Sequence, residues 1–434
     1  MMIWIKNGKV VHPDRGMVEP LDIIIDHGKI SRLVPQGIFK NEGQVSRTIN
    51  ATGKIVVPGF IDMHVHLREP GHEYKETIAT GAMAGVAGGF TALACMPNTD
   101  PVNDCRAVTE FILEQARKAS LLKVYPIAAI TKGQKGEELT EFGDLRQAGA
   151  VGVSDDGFCV TDSDLMRRAM EYARYHGLIV ISHCEDKNLS AGGVMHEGAV
   201  STQMGLKGIP SASEEIMIQR EISLARLTGC PVHIAHVSTA GSVRSIRRAK
   251  EDGIPVTAET APHYFSLDHT AVMGYDPNAK MNPPLRTPED VAAIKVGLKE
   301  GVIDVIATDH APHSSLEKDV EFDLAAFGII GLETAVPLTL ALVREGVLTL
   351  PEAIKKWTIN PAAILGIGGG AIKEGDSADL TVIDSDAEYV FNIENIHSKS
   401  KNSPFIGKKL KGRNTLTMVD GRVVWERDAE HTSR

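Results

Sequence analysis

His64 and His66 are separated by a single residue in the stretch Pro58-Gly59-Phe60-Ile61-Asp62-Met63-His64-Val65-His66-Leu67-Arg68-Glu69-Pro70-Gly71. On a strand successive side chains alternate faces, so both imidazoles project to one side while Val65 projects to the other. Two neighbouring neutral imidazoles offer lone pairs suited to a divalent ion of intermediate softness, such as zinc. An isolated His-x-His is more often a pair of packed or surface histidines. Here, further ligand-type residues follow downstream, each group placed where an apolar run ends.

Polar side chains just after an apolar run sit at the C-terminal end of a strand, the rim on which a parallel barrel carries its chemistry. Ser154-Asp155-Asp156-Gly157, Ser182-His183-Cys184-Glu185, His233-Ile234-Ala235-His236-Val237-Ser238 and Thr308-Asp309-His310-Ala311-Pro312-His313 all stand in such places. His233 and His236 are an odd number of positions apart and face opposite ways on a strand. His236, nearer the rim, is therefore the candidate ligand and His233 a structural residue. His263, within Ala261-Pro262-His263-Tyr264, reads as a packed or loop histidine before it reads as a ligand. Asp62 shares the face of His64 and His66 but lies deeper, which suits a supporting role.

Eight apolar runs must carry these groups: the first stretch, then residues 91–96, 124–130, 150–153, 178–181, 232–237, 255–258 and 302–307. Between them lie segments with apolar residues every three or four positions, such as 164–175, 214–227 and 289–299, which predict helices. Gly177, Gly229, Gly253, Gly301 and Gly346 follow helical segments, where a left-handed cap favours glycine. Strand and helix in eightfold alternation predict an α/β fold, a (β/α)8 TIM-type barrel over residues 58–366. Residues 1–57 and 367–434 read instead as short strands, with Asn7-Gly8, His27-Gly28 and Asp420-Gly421 as turns. They predict a small β-sandwich domain built from both chain ends, with a tail from about Glu426 that frays. The polar, interrupted run 314–323 suits either a mobile loop over the site or an ordinary surface connection.

At 434 residues and 43% hydrophobic content, the chain can bury a large core. A net charge of -10 argues against nucleic acid or anionic membrane as partner, since both select basic surfaces. Five cysteines with no CxxC pair do not form a disulfide framework, and neither a secretion signal nor a membrane-spanning run is evident. These features predict a cytoplasmic protein acting on a small molecule.

Taken together, Asp62-x-His64-x-His66-x-Arg68-Glu69-Pro70-Gly71, Met96-Pro97-Asn98-Thr99, Ser182-His183-Cys184-Glu185, His233 to His236, Asn282-Pro283-Pro284-Leu285-Arg286 and Asp309-His310-Ala311-Pro312-His313 resemble the cyclic amidohydrolase superfamily. The resemblance is closest to the class I dihydroorotases, covers nearly the whole chain, and includes both pieces of the small β domain. It implies reversible cyclisation of N-carbamoyl-L-aspartate to dihydroorotate in pyrimidine biosynthesis, with one or two zinc ions per chain. It also implies that His64, His66, His183, His236 and Asp309 bind metal and that Asp309 moves the catalytic proton. Many relatives bridge two metals with a carboxylated lysine at the fourth strand's end. This chain has Ser154-Asp155-Asp156 there, and Asp156 falls where the lysine would stand, with Asp155 the alternative. The same resemblance assigns Arg68, Asn98 and Asn282 to the substrate carboxylate and His313 to the ring edge. A planar arginine fork suits a carboxylate, whereas a buried arginine facing a neutral ring would lose about 3–5 kcal/mol for want of a partner. Allantoin and hydantoin are the competing substrates. A non-catalytic scaffold that partners aspartate transcarbamoylase is the alternative of a different kind; association with that enzyme is also compatible with catalysis, and a homo-oligomer is expected.

Overall fold

The computed structural model describes residues 2–40, 43 and 45–427. Eight parallel strands, Phe60–Val65, Phe90–Cys95, Lys123–Ala128, Gly152–Val153, Ile179–Ser182, Val232–Ile234, Val256–Thr260 and Val305–Ile306, are hydrogen-bonded in sequence order. A parallel bridge between Val65 and His310 brings the eighth strand's exit back to the first. His66 N–H donates to the His310 carbonyl at 2.8 Å, in the same seam. The result is a nearly closed TIM-type barrel. Alternate residues fill its interior, among them Ile61, Met63, Ala92, Ala94, Ile181 and Ala235. Helices Ile78–Gly88, Arg106–Ala119, Phe142–Ala148, Ser163–His176, Ser211–Thr228, Ala240–Glu251, Pro288–Lys299 and Ala335–Arg344 pack outside. Phe60, Phe90 and Trp357 cluster at the N-terminal ends of the first two strands, with ring centroids 5.4 to 6.1 Å apart. That end is closed by packing and the other is left for chemistry.

Several strands are shorter than their apolar runs. The fourth keeps only Gly152 and Val153 of 150–153, and the sixth stops at Ile234 instead of Val237. The fourth lacks the first two residues of its run, while the sixth ends two residues before His236, whose φ is 33°; Asp156 and Asp309 also take positive φ, at 45° and 49°, beyond the ends of their strands. The five glycines expected after helices all have φ between 63° and 74°.

The second sheet joins Met2–His12, Met17–Asp26, Lys29–Pro35, Val45–Asn50 and Ile55–Pro58 to Leu380–Val390, Lys409–Val419 and Arg422–Glu426. The central link is Ile55–Pro58 against Leu380–Ile383, antiparallel. Its strands form one continuous hydrogen-bonded sheet, and residues from both halves, including Ile5, Ile25, Val56, Leu380 and Met418, pack into one apolar cluster. Asn7-Gly8 is not the expected turn: it lies inside Met2–His12 as a bulge, with the Asn7 N–H donating to Asp22 Oδ1 at 2.8 Å. An apolar pattern that resumes on both sides of an Asn-Gly pair distinguishes a bulge from a hairpin. His27-Gly28 and Asp420-Gly421 do join adjacent strands. Glu426 closes the last strand, and the expected fraying beyond it concerns residues 428–434, which lie outside the described residues.

Gly59 separates sheet from barrel. Its N–H donates to the Asp379 carbonyl, and a Cβ there would meet the Thr91 side chain at 2.2 Å. The two sheets are tied again where Thr381 Oγ1 donates to the Gly89 carbonyl and Thr417 Oγ1 to that of Val86, each at 2.6 Å. These hydroxyls add donors to carbonyls at the C-terminal end of Ile78–Gly88, where the helix runs out of its own. No helix among the described residues is long and apolar enough to cross a membrane, and all five cysteines are free thiols.

Candidate metal centre and substrate cavity

At the C-terminal rim the structure brings together His64, His66, Asp156, His183, His236 and Asp309, all buried. His64, Asp156 and His236 form one set of three donors within 4.8 Å of one another; His64, His66 and Asp309 form a second. His64 Nε2 lies 3.5 Å from Asp156 and 3.6 Å from Asp309, and His66 Nε2 lies 3.2 Å from Asp309. His183 Nδ1 and His236 Nε2 are 2.8 Å apart.

The other ring nitrogens are fixed by hydrogen bonds. His64 Nδ1 faces Glu259 Oε1 at 2.6 Å, His66 Nδ1 faces Asn98 Oδ1 at 2.8 Å, and His183 Nε2 faces Glu185 Oε2 at 2.9 Å. Acceptors at those positions select the tautomers that leave His64 Nε2, His66 Nε2 and His183 Nδ1 as lone pairs. Those lone pairs point at carboxylates or at each other, and buried His64 Nε2 has no hydrogen-bond partner. Acceptors converging on acceptors in a buried pocket fit a divalent cation and are unfavourable without a positive charge among them.

Electrostatics express the same crowding. Burial disfavours charge on His64, but Glu259, Asp156 and Asp309 outweigh it and raise its pKa well above the ordinary range. Burial would raise Asp156 and Asp309, yet the surrounding histidines hold both carboxyls well below the usual range. His236 is lowered to about 3 by burial and by the charges of His183 and His64. Arg68, Asp156, His236 and Asp309 all have positive φ, a backbone state costing on the order of 1–3 kcal/mol for a non-glycine residue. Their concentration at one rim shows that the surrounding packing enforces it.

Asp155 and Asp156 part company. Asp155 accepts from the Ile130 and Thr131 N–H groups at 2.8 and 3.0 Å and from the Thr131 hydroxyl, turning away to hold the neighbouring loop. Asp156 faces the histidines and accepts from Asn98 Nδ2 at 2.8 Å. Asp62 accepts from His64 N–H at 3.1 Å and from Thr308 Oγ1 at 2.6 Å, stapling the first strand to the eighth; burial raises its carboxyl to about 7. His233 bonds to Thr257 Oγ1 at 2.8 Å and to Glu259 Oε2 at 3.3 Å, outside the donor sets. His263 is buried in the short helix Pro262–Ser266, also outside them.

A cavity of about 330 Å³ opens over the cluster, lined by Arg68, Asn98, Asn282 and His313 among others. Arg68 is 8% exposed, and its guanidinium donates to the Pro312 carbonyl at 3.1 Å and lies 3.3 Å from His313 Nε2. No carboxylate lies within ion-pair distance of it among the described residues. Asn98 spans His66 and Asp156, and Asn282 Nδ2 donates to Glu185 at 2.9 Å, so each amide retains one N–H for the cavity. Glu259 and Glu185 are the groups that sequence reasoning passed over. Glu259 follows the apolar run 255–258, the same position that singled out the other rim residues; Glu185 stood in a quoted motif without a role.

The profile of the dihydro-orotase-like family matches residues 53–242, and that of an amidohydrolase family matches residues 182–425. A protein named dihydroorotase from Geobacter metallireducens is 55% identical over 427 residues, covering 98% of this chain and 100% of its own. One of the same name from Pelotomaculum thermopropionicum is 56% identical over 427 residues, covering 98% and 99%. Among solved structures, the L-hydantoinase (dihydropyrimidinase) from Arthrobacter aurescens aligns with a TM-score of 0.88 at 26% identity, over 98% of this chain and 96% of that one. The D-hydantoinase (dihydropyrimidinase) from Thermus sp. gives 0.81 at 26%, over 97% and 94%.

Proposed function

Because the chain belongs to the dihydroorotase family of cyclic amidohydrolases, we propose that it interconverts N-carbamoyl-L-aspartate and dihydroorotate at this rim, with zinc as its metal. His64, His66, Asp156, His183, His236 and Asp309 would hold one or two ions, with Asp156 the shared ligand. Bound zinc supplies Lewis acidity, enough to bring the pKa of water from 15.7 to about 7.

The chain's own residues do the rest. Arg68 binds the substrate carboxylate as a fork of parallel donors, and the spare N–H groups of Asn98 and Asn282 complete its solvation. His313, against Arg68, borders the ring edge. This places the ring amide carbonyl towards the metal donors and its nitrogen towards Asp309. On hydrolysis, water oxygen bonds to the carbonyl carbon and the ring C–N bond breaks. Asp309, held ionised by its neighbours, takes the proton that water sheds and gives it to the departing nitrogen. On cyclisation Asp309 removes a proton from the carbamoyl nitrogen as that nitrogen attacks the side-chain carboxyl carbon, and water leaves.

One observation carries the choice of substrate: Arg68 is a buried cation beside the metal donors, and among the described residues no carboxylate lies within ion-pair distance of it. A carboxylate completes it and a neutral hydantoin or allantoin does not. The test is turnover of dihydroorotate, allantoin and hydantoin by zinc-loaded, chelator-stripped and zinc-restored protein. Dihydroorotate should be preferred by at least about a hundredfold, a penalty of roughly 3 kcal/mol for the unpaired charge. Activity should vanish on stripping and return with zinc. Preference for a neutral ring, or full activity in stripped protein, would overturn the reading. Residues 1–57 with 367–434 form the accessory unit and 58–366 the catalytic one in this proposal. We also place the protein in the cytoplasm, as a homo-oligomer able to bind aspartate transcarbamoylase, which co-elution of the purified proteins would test.

A further inference from the structure

Between the eighth strand's last candidate residue, His313, and Ile329 the chain runs through one short helix, Ser315–Lys318, and otherwise irregular backbone. This segment ends in Phe327 and Gly328, which line the cavity on the same rim as Asn282. Irregular backbone that turns its carbonyls inward needs donors, and here two buried lysines provide them.

Lys280, only 2% exposed, donates through Nζ to the Phe322 carbonyl at 2.8 Å and the Asp323 carbonyl at 3.0 Å. The same ammonium stands 4.5 Å from the centre of the Phe327 ring and 5.5 Å from that of Phe322, so its remaining hydrogen is directed among aromatic surfaces. The Lys280 carbonyl accepts from Gly328 N–H at 3.0 Å and from Lys318 Nζ at 3.2 Å, and Lys318 also donates to the Ala326 carbonyl at 2.7 Å. No carboxylate pairs with Lys280 among the described residues. Burial draws its ammonium down to about 8, partly countered by Asp323.

Residue 280 is two positions from Asn282, so one side chain and its own carbonyl join the loop bearing Asn282 to the wall bearing Phe327 and Gly328. The fit at that wall is close: Gly328 has φ 127°, and a Cβ on it would meet the Ala311 Cβ at 2.6 Å and His313 Nε2 at 3.2 Å. A shift of the segment would press on His313 or withdraw Phe327 from the cavity. The metal donors belong to other strand ends and are not touched by Lys280.

We propose that Lys280 is a positioning residue for the substrate: by binding the Phe322 and Asp323 carbonyls beneath the Phe327 ring, it fixes the Phe327–Gly328 wall of the cavity that Asn282 also lines and thereby sets substrate affinity. The inference rests on the substrate occupying this cavity, as proposed above.

Its test compares wild type, Lys280→Met, Lys280→Arg and Phe327→Ala as zinc-loaded full-length proteins. The readouts are KM and kcat for dihydroorotate, metal content, and protease cleavage within 314–328. Lys280→Met, which keeps the length of the side chain and removes its donors, should raise KM about tenfold, leave kcat within about threefold, retain its metal, and cleave faster in that segment. Lys280→Arg should recover part of the affinity. A KM within twofold of wild type in folded Lys280→Met, or a fall in kcat accompanied by metal loss, would overturn the proposal. Should Lys280→Met not fold, Phe327→Ala decides: a raised KM with metal retained supports the wall's role, and an unchanged KM overturns it. Failure of the wild type to turn over dihydroorotate would instead sink the functional reading beneath it.

Discussion

Each first-strand histidine has one ring nitrogen held by Glu259 or Asn98 and the other turned towards the rim carboxylates, and the first contact is as informative as the second. Glu259 holds His64 Nδ1 on one oxygen and His233 on the other, so a single buried carboxylate sets the orientation of a proposed ligand and anchors itself through a second ring. Burial would raise its pKa, but His64 and His233 bring it down to about 2, keeping it an acceptor at neutral pH. Glu259→Gln should therefore weaken zinc binding by about 10–100-fold while the protein stays folded, as read by competition with a coloured chelator. Unaltered affinity would show that the contact is incidental. The two adjacent aspartates give a sharper comparison. Asp156→Ala should lose metal and at least about a hundredfold in turnover, because it removes a donor shared by the cluster. Asp155→Ala frees three hydrogen-bond donors around residues 130–131, which should cost about 1–3 kcal/mol of stability with metal content maintained. Metal analysis, turnover and thermal unfolding of the pair would expose a reversed assignment. Strand-end position alone did not separate the two, and the resemblance favoured Asp156 with Asp155 the alternative; the hydrogen bonds that turn Asp155 towards residues 130–131 are invisible in a string of residues.

At the scale of elements, side-chain alternation and the strand-end rule brought out His64, His66, His183, His236 and Asp309, because a barrel strand delivers its last residues to one rim whatever its length. Strand lengths themselves were less legible. Runs such as 302–307 are apolar for packing against helices as well as for pairing, and only Val305–Ile306 is strand. Glu259 met the same strand-end rule, directly after the run 255–258, and was passed over although Val256–Thr260 carries it on the seventh strand. The segment after His313 was equally ambiguous between cover and connector, since its polar pattern does not reveal that its carbonyls converge on buried ammonium groups. Lys318 gives that arrangement a pH signature. Burial lowers its pKa to about 7, against about 10.4 in an unfolded chain. Below pH 7 both states carry the charge and the penalty of burying it is fully present. As pH rises from 7 towards 10.4 the folded protein gives up the proton first, so the penalty shrinks and stability from this group increases. Relative to Lys318→Met, wild type should gain roughly 1–3 kcal/mol between pH 7 and 9.5. Parallel unfolding profiles for the two proteins would refute it.

The whole molecule pairs a barrel whose closure is local with a sheet whose closure is not. Barrel strands bond to sequence neighbours throughout, apart from the seam at Val65 and His310. That regularity is what made the architecture readable from repeated apolar runs. The two-ended sheet was readable for a different reason: at His27-Gly28 and Asp420-Gly421 the glycine pair is flanked on both sides by short alternating runs, with no helical segment between them. What could not be read was which strand joins the halves, because Ile55–Pro58 leads without a break into the first barrel stretch and only Gly59 parts them. Pairing of Ile55–Pro58 with Leu380–Ile383 has a consequence during synthesis. On a ribosome adding about 5–20 residues per second, the first five strands emerge and then wait on the order of half a minute for their partners. Throughout that interval Ile5, Ile25 and Val56 lack the cover that Leu380, Val382, Leu416 and Met418 later supply. The nascent chain therefore completes its barrel while trailing an unfinished, sticky edge, and release from the ribosome, not barrel formation, is the moment at which this protein becomes safe from its neighbours.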